Sequence, residues 1–124
     1  MEIINLEGTE DTPKIILDKT NKIFEISGRS LPEDSAEFYQ PVLDWLSEYA
    51  NDPLPETIFD FKLEYFNTSS SKALIEIFRK FERVFKSGNE VLIQWYYEQD
   101  DEDMLDLGEE FSENVGIPFE IIGY

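Results

Sequence analysis

The sequence predicts a small α/β domain with the element order β-β-α-β-α-β-α-β, a mixed and mostly parallel sheet, and helices mainly on one face. Two observations support this prediction. Apolar segments with strand periodicity alternate with amphipathic helical segments, as in parallel strands joined by crossover helices. The first two strand segments are separated only by the polar residues 19–22, which predicts an antiparallel hairpin at one end of the sheet. The length of 124 residues fits a single domain, residues 1–124.

Five segments have the alternation or apolar density of strands. They are residues 14–18, 23–27, 57–66, 91–97 and 118–122. Within the third, apolar and charged residues alternate, which predicts one buried and one partly wet face. Its expected inward residues are Phe59, Phe61, Leu63 and Tyr65. The fourth has few polar residues and is expected to be central. Residues 1–12 are polar and acidic and are expected to be loosely held.

Three segments have helical periodicity. The first covers residues 34–50, where Asp34 is a candidate N-cap and Pro41 is expected to kink the helix or mark a restart. The second ends near residue 87, and Gly88 is expected to cap it in a left-handed conformation. Its apolar stripe consists of Leu74, Ile77, Phe78, Phe81, Val84 and Phe85. The third follows the acidic residues 98–103. On one of its faces lie Met104, Leu107, Phe111 and Val115.

Composition excludes several functions. The net charge of −18 repels nucleic acid and anionic membranes, so neither is expected as a partner. The chain has no cysteine and no histidine, so it lacks thiolate chemistry, the commonest general base and the commonest transition-metal ligand. We therefore expect no enzymatic activity and no metal or organic cofactor. No apolar run approaches the roughly 18 residues of a membrane span, and the N-terminus does not look like a signal peptide, so a cytoplasmic location is expected.

The strongest candidate site lies between the third strand and the second helix. It consists of Asn67, Thr68, Ser69, Ser70, Ser71 and Lys72. In α/β sheets, this edge is where ligands are met, and helix N-terminal amides favour anions. Residues 65–75 contain no Asp or Glu although the chain has 28, so the positive end of the helix dipole is left for a phosphate. Thr68 is expected at or just before the N-cap, with the serines in the first turn; alternatively, Thr68 or Ser69 is simply the N-cap.

Other candidate sites are weaker. The acidic residues 100–103 with Asp106 suggest a divalent cation, but they are contiguous and Gly108 is misplaced for a calcium loop, which favours a solvated helix start. Asp60 and Glu64 share a strand face about 13 Å apart, too far for a glycosidase pair. Four aromatic residues suggest either a pocket or core, and their periodicity favours core. They are Trp45, Trp95, Tyr96 and Tyr97.

Four blocks carry a family resemblance. They are residues 9–13, 38–46, 61–72 and 95–97. Together they resemble the SiaC family of bacterial regulatory phosphoproteins and, more distantly, the STAS (anti-sigma-factor antagonist) proteins of partner-switching systems. The resemblance covers essentially the whole chain and implies a STAS-like fold. It also implies that Thr68 is the phosphorylated residue.

The same resemblance implies three partners: a serine/threonine protein kinase, a PP2C-type phosphatase, and a target bound by the unphosphorylated form. In characterised members the target is a diguanylate cyclase, so the implied output is cyclic di-GMP and biofilm behaviour. From the residues alone, two other hypotheses stay open. An acidic mimic of nucleic acid would bind a basic partner through many dispersed carboxylates, whereas a carboxylate hydrolase would have a cleft with shifted acid pKa values.

Overall fold

Six strands and three helices make up the chain in a computed structural model that describes residues 1–124. The strands are β1 Ile4–Leu6, β2 Lys14–Asp18, β3 Ile23–Ser30, β4 Glu56–Phe66, β5 Glu90–Tyr97 and β6 Phe119–Gly123. The helices are α1 Ser35–Tyr49, α2 Thr68–Lys86 and α3 Glu102–Asn114. The predicted α/β class is confirmed, but the predicted count of five strands was wrong, because the prediction did not include β1.

The six strands form one sheet in the order β1-β2-β3-β4-β5-β6. The first three pair antiparallel, and β3 to β6 pair parallel with one helix in each crossover. Crossovers that all step in one direction place their helices on one face. Aromatic contacts place all three helices there. Tyr49 of α1 packs on Phe24 with ring centroids 5.3 Å apart, and Phe81 of α2 packs on Phe59 with ring centroids 5.1 Å apart. Phe111 of α3 lies 5.5 Å from Trp95. The other face has no helix, as predicted.

Residues 1–12 are held more firmly than their polarity indicates. Ile4 pairs with Leu17 across the β1–β2 ladder, and Ile4 packs partly against the core. The Trp45 indole donates to the Glu2 carbonyl at 2.6 Å. The expectation of a loose segment was therefore wrong for residues 2–6, whereas residues 7–12 form no strand or helix and are mostly exposed. The sequence did not reveal β1 because three residues are too few to show an alternation. Trp45, which binds the Glu2 carbonyl, also lies far along the chain.

The third predicted strand contains a bulge that reverses its alternation. Gly28 lies opposite Leu63, but the next residue, Arg29, lies opposite Tyr65, so Glu64 is an extra residue in β4. Phe59, Phe61 and Leu63 are buried as predicted. Tyr65 is 48% exposed, so its predicted burial was wrong, and Phe66 turns inward instead. The bulge thus sets how the strand enters the candidate site.

The helices begin and end close to their predicted limits. Asp34 caps α1 by accepting from the Glu37 amide at 3.1 Å, and α1 runs through Pro41 without a restart. Gly88 follows α2 with φ of 100°, as predicted. Phe85 is 38% exposed, contrary to its predicted burial, because it lies over the N-terminal ends of β4 and β5 beside Ile58. None of the three helices is long and apolar enough to span a membrane.

Candidate phosphorylation site

The site lies where β4 ends and α2 begins. Asn67 is the N-cap of α2: its backbone is extended, and its Oδ1 accepts from the Ser70 amide at 2.9 Å. Thr68 is the first helical residue, so the expected cap at Thr68 was wrong by one position and the alternative cap at Ser69 by two. Asn caps a helix as well as Ser does, and its extended backbone continues directly from the strand.

Ser70 is the buried hydroxyl of the site. It is 0% exposed, and its Oγ is hydrogen-bonded to Ser30 Oγ at 2.8 Å and donates to the Ser30 carbonyl at 3.1 Å. Ser30 Oγ is also bonded to the Tyr39 hydroxyl at 2.6 Å, and Ser35 Oγ lies 3.4 Å from Ser70 Oγ. Burial raises the pKa of Tyr39 to about 12, so this hydroxyl stays protonated at neutral pH. The cluster fixes the start of α2 against β3 and α1.

The remaining hydroxyls lie nearer the surface. Ser69 Oγ is bonded to Ser35 Oγ at 2.8 Å and donates to Asn67 Oδ1 at 3.1 Å. Ser71 Oγ donates to the Thr68 carbonyl at 2.6 Å. Each serine hydroxyl therefore has a hydrogen-bond partner within the protein. In the unmodified protein all three hydroxyls stabilise the local structure.

Thr68 differs from the three serines. Its side chain is exposed, and its hydroxyl makes no hydrogen bond within the protein, whereas the hydroxyls of Ser69, Ser70 and Ser71 do. The Ser71 amide bonds to the Asn67 carbonyl, so the helical ladder begins there and the Thr68 and Ser69 amides precede it. Lys72 is exposed, has no ion pair, and follows Thr68 by one turn. The position combines an accessible hydroxyl with a positive helix end.

The sequence argument missed Ser30, Ser35 and Tyr39. Ser30 ends β3 and Ser35 begins α1, so they occupy the same edge of the sheet as Asn67 and Thr68, one crossover away. The edge argument that selected residues 67–72 also applies to residues 30–35. The sequence therefore indicated that residues 30–35 lie at this edge. Their contact with residues 67–72 can be predicted only if β3 and β4 are also predicted to be neighbours.

The other candidate residues lie apart from this site. Asp101 caps α3 by accepting from the Met104 amide at 3.0 Å, and the acidic run forms no metal-binding group with other side chains. Asp60 lies on the open sheet face, where burial raises its pKa against the opposing effect of Lys62, and its Oδ1 has no hydrogen bond. Asp60 pairs with Glu25 across the β3–β4 ladder, and the negative charge of Glu25 also raises the Asp60 pKa.

The predicted aromatic core is correct for Trp45 and Trp95 and in part for Tyr97, but not for Tyr96. Trp45 and Trp95 are buried, whereas Tyr96 and Tyr97 are only half-buried. Tyr96 lies on the open face, where the Lys62 Nζ sits 5.0 Å above its ring. Alternation along β5 explains Tyr96, since neighbours in a strand point to opposite faces. Tyr97 shares the face of Trp95 and packs partly against the core.

The family assignment agrees with this geometry. The model of the SiaC family of regulatory phosphoproteins matches residues 6–124. The chain belongs to the SiaC family. An uncharacterised protein of Pseudomonas aeruginosa strain UCBPP-PA14 is 34% identical over 121 residues, which cover 98% of this chain and 96% of that protein. The predicted family is therefore confirmed.

Solved structures of SiaC from Pseudomonas aeruginosa share the fold. One superposes with a TM-score of 0.90 at 31% identity and covers 100% of both chains. Apo-SiaC gives 0.89 at 34% identity and covers 98% of this chain and 99% of that one. A chain in the complex of the diguanylate cyclase SiaD with its activator SiaC gives 0.91 at 33% identity, with coverages of 98% and 99%. The STAS-like arrangement expected from the sequence thus applies to this SiaC-family chain.

Replacement of Asn67 by Ala should destabilise the SiaC-family fold through its cap. The Ser70 amide and the Ser69 hydroxyl lose their common acceptor, so we expect a loss of about 1 kcal/mol in unfolding free energy. Chemical denaturation measures it. Asn67→Ser keeps a capping oxygen, so its unfolding free energy should fall by only a few tenths of a kcal/mol. If the two variants were equally destabilised, the capping role would be wrong.

Proposed function

We propose that this protein is a non-enzymatic partner-switch protein whose unphosphorylated form binds and activates a diguanylate cyclase. The observation that carries the proposal is the relative at TM-score 0.91 and 33% identity, whose structure is that of the cyclase SiaD in complex with its activator SiaC. The likeness covers 99% of that chain, so nearly all of the SiaC fold has a counterpart here. The output of the switch is then cyclic di-GMP, and the place of action is the cytoplasm.

Thr68 is the proposed switch residue. Its hydroxyl is exposed and unbonded, so a kinase reaches it without opening the fold. The serines are bound to Ser30, Ser35 or the backbone, and modification of Ser70 would break a buried cluster. A serine/threonine kinase would add the phosphate and a PP2C-type phosphatase would remove it. Asn67, Ser69, Ser70, Ser71 and Lys72 form the neighbourhood of the phosphate.

The proposed role needs no reaction chemistry from the chain. It contains no histidine and no cysteine, and it needs no cofactor to present one hydroxyl to a kinase and one surface to a target. A phosphate adds about −1.5 to −2 charges and three strong acceptors at one point. That change suffices to alter binding while the fold stays as it is.

The test is activation of a cyclase by the purified protein. Diguanylate cyclases from the cell that makes this protein are titrated with it, and binding heat and cyclic di-GMP production are followed together. We expect one cyclase to bind the unmodified protein and to gain activity. Thr68→Asp, which carries a charge at the switch, serves as the matched non-binding control. If no cyclase bound or responded to the unmodified protein, the proposal would be wrong.

A further inference from the structure

Half of the basic residues of this acidic chain lie on one helix. The sequence contains ten Lys and Arg residues, and α2 spans 19 residues. The basic residues of α2 are Lys72, Arg79, Lys80, Arg83 and Lys86. Its acids are Glu76 and Glu82, and Glu82 is buried. The helix is therefore locally positive in a protein of net charge −18, which is the opposite of what a nucleic-acid mimic needs.

Four of these cations share one exposed face with the phosphorylation site. At 3.6 residues per turn, six residues fall within an arc of about 80° around the helix axis. We call them the α2 stripe: Thr68, Lys72, Ile75, Arg79, Arg83 and Lys86. All six are exposed, including Ile75 at 39%. At 1.5 Å per residue the α2 stripe is about 27 Å long.

The cations of the α2 stripe are only partly neutralised within the protein. Arg79 and Lys86 share a single carboxylate, that of Glu82, which lies beneath them. Arg83 donates to the neutral Asn51 side chain at 2.8 Å. Lys72 has no ion pair. Glu82 therefore orients two cations without cancelling both, and α2 as a whole has five cations against two carboxylates. Asp44 of α1 lies beside Arg79 and Arg83 at the edge of the stripe.

We propose that the α2 stripe is the docking surface for an acidic α-helix of a protein partner. The positions follow one another by four, three, four, four and three residues, which is the spacing of one helical face. A partner helix with Asp or Glu at the same spacing would pair with them, and Ile75 supplies an apolar contact at the centre. Nucleic acid and anionic membranes fit worse, because their dense negative charge would meet the strongly acidic remainder of the surface.

The position of Thr68 links this surface to the switch, and this step rests on the proposed function. Thr68 is the N-terminal end of the α2 stripe, with Lys72 one turn away. A phosphate of about −1.5 to −2 charges there would offset up to two of the four cations and repel the acids of the partner. Phosphorylation would then act through charge at the docking surface, with no change of fold.

A peptide titration tests the docking surface without any cyclase. The probe is a synthetic 20-residue helical peptide of Ala and Glu, with Glu at the spacing of the α2 stripe, added to isotopically labelled protein at low salt and followed by NMR. We expect amide shifts concentrated in residues 68–86. A peptide with Lys in place of Glu should cause none there. Phosphorylated protein should bind the Glu peptide at least fivefold more weakly.

Two charge-reversal variants show whether the affinity for the Glu peptide depends on charge at the α2 stripe or on the net charge of the protein. Arg83→Glu should weaken the Glu peptide at least tenfold, because it reverses one cation of the α2 stripe. Lys14→Glu makes the same change in net charge on β2, where Lys14 is exposed and without an ion pair, and should keep the affinity within about twofold. Arg83→Gln removes the charge without reversing it, so its affinity for the Glu peptide should lie between those of wild type and Arg83→Glu. Melting curves of all variants show whether any loss of affinity comes from unfolding.

Equal weakening by Arg83→Glu and Lys14→Glu would overturn the proposal, as would shifts centred on the open sheet face. Equal shifts of residues 68–86 with a single-stranded oligonucleotide would overturn the assignment to a protein helix. These failures leave cyclase activation by the unmodified protein untouched. Conversely, if no cyclase responded while the peptide still docked on α2, the proposed function alone would fail.

Discussion

Phosphorylation of Thr68 should weaken binding of this protein to the cyclase proposed as its target at least a hundredfold and leave its melting temperature nearly unchanged. A hundredfold change is about 2.8 kcal/mol at 1.4 kcal/mol per factor of ten. Desolvating a phosphate against a surface built for a neutral hydroxyl costs several kcal/mol, so the expected change is well within reach. The phosphate would also oppose the positive charge that begins at Lys72.

The fold should tolerate the phosphate because Thr68 has no internal bond to lose. Its side chain is exposed at the first position of α2, where negative charge is stabilised by about 0.3–1 kcal/mol. Asn67, not Thr68, holds the cap, so Thr68→Ala should also leave the unfolding free energy almost unchanged. Binding and stability should therefore separate at this residue.

The measurement is calorimetric binding of the cyclase to phosphorylated and unmodified protein, with a melting curve of each. Thr68→Ala should bind as the unmodified protein does and resist the kinase. Ser70→Ala is the contrasting control, because it removes a buried hydroxyl from the Ser30 cluster and should lower stability first. Equal affinities of the two forms would end the switch hypothesis. Phosphate mapped only to the serines would end the assignment to Thr68.

The sequence predicted that residues 67–72 lie at the edge of the sheet because that placement follows from chain order. A strand that ends at residue 66 and a helix that starts at residue 68 bring any residue between them to the sheet edge, whatever lies around it. The left-handed turn at Gly88 and the Asp34 cap were predictable for the same reason. Each depends on a few neighbouring residues and on strong local preferences.

The errors arose where distant residues decide the outcome. The short strand β1 forms because β2 offers a free edge and Trp45 binds the Glu2 carbonyl. Tyr65 points outward because β3 and β4 shift register at Gly28, which the alternation within β4 cannot show. The cluster of Ser30 with Ser70 likewise joins residues 40 positions apart. Local periodicity carries no information about such pairings.

Removal of the Trp95 side chain should have the largest effect on stability. Trp95 is 1% exposed and packs against Phe61, Phe66 and Phe111, with ring centroids 5.5 to 6.1 Å apart. Its indole donates to the Met104 carbonyl at 3.0 Å, which ties β5 to α3. Trp95→Ala leaves a large cavity and should cost about 3–5 kcal/mol. A domain of this size has about 5–15 kcal/mol in total, so the variant should be close to unfolding.

Tyr96→Ala is the matched control, since Tyr96 is the next residue on the same strand and points to the open face. It loses mainly the contact of its ring with Lys62, worth about 0.5–1 kcal/mol at an exposed site. Urea denaturation of both variants measures the difference. Because Phe66 directly precedes Asn67, Trp95→Ala should also weaken cyclase binding, whereas Tyr96→Ala should weaken it only if the open face contacts the cyclase. Equal losses of stability would show that the helix-covered face does not hold the dominant core.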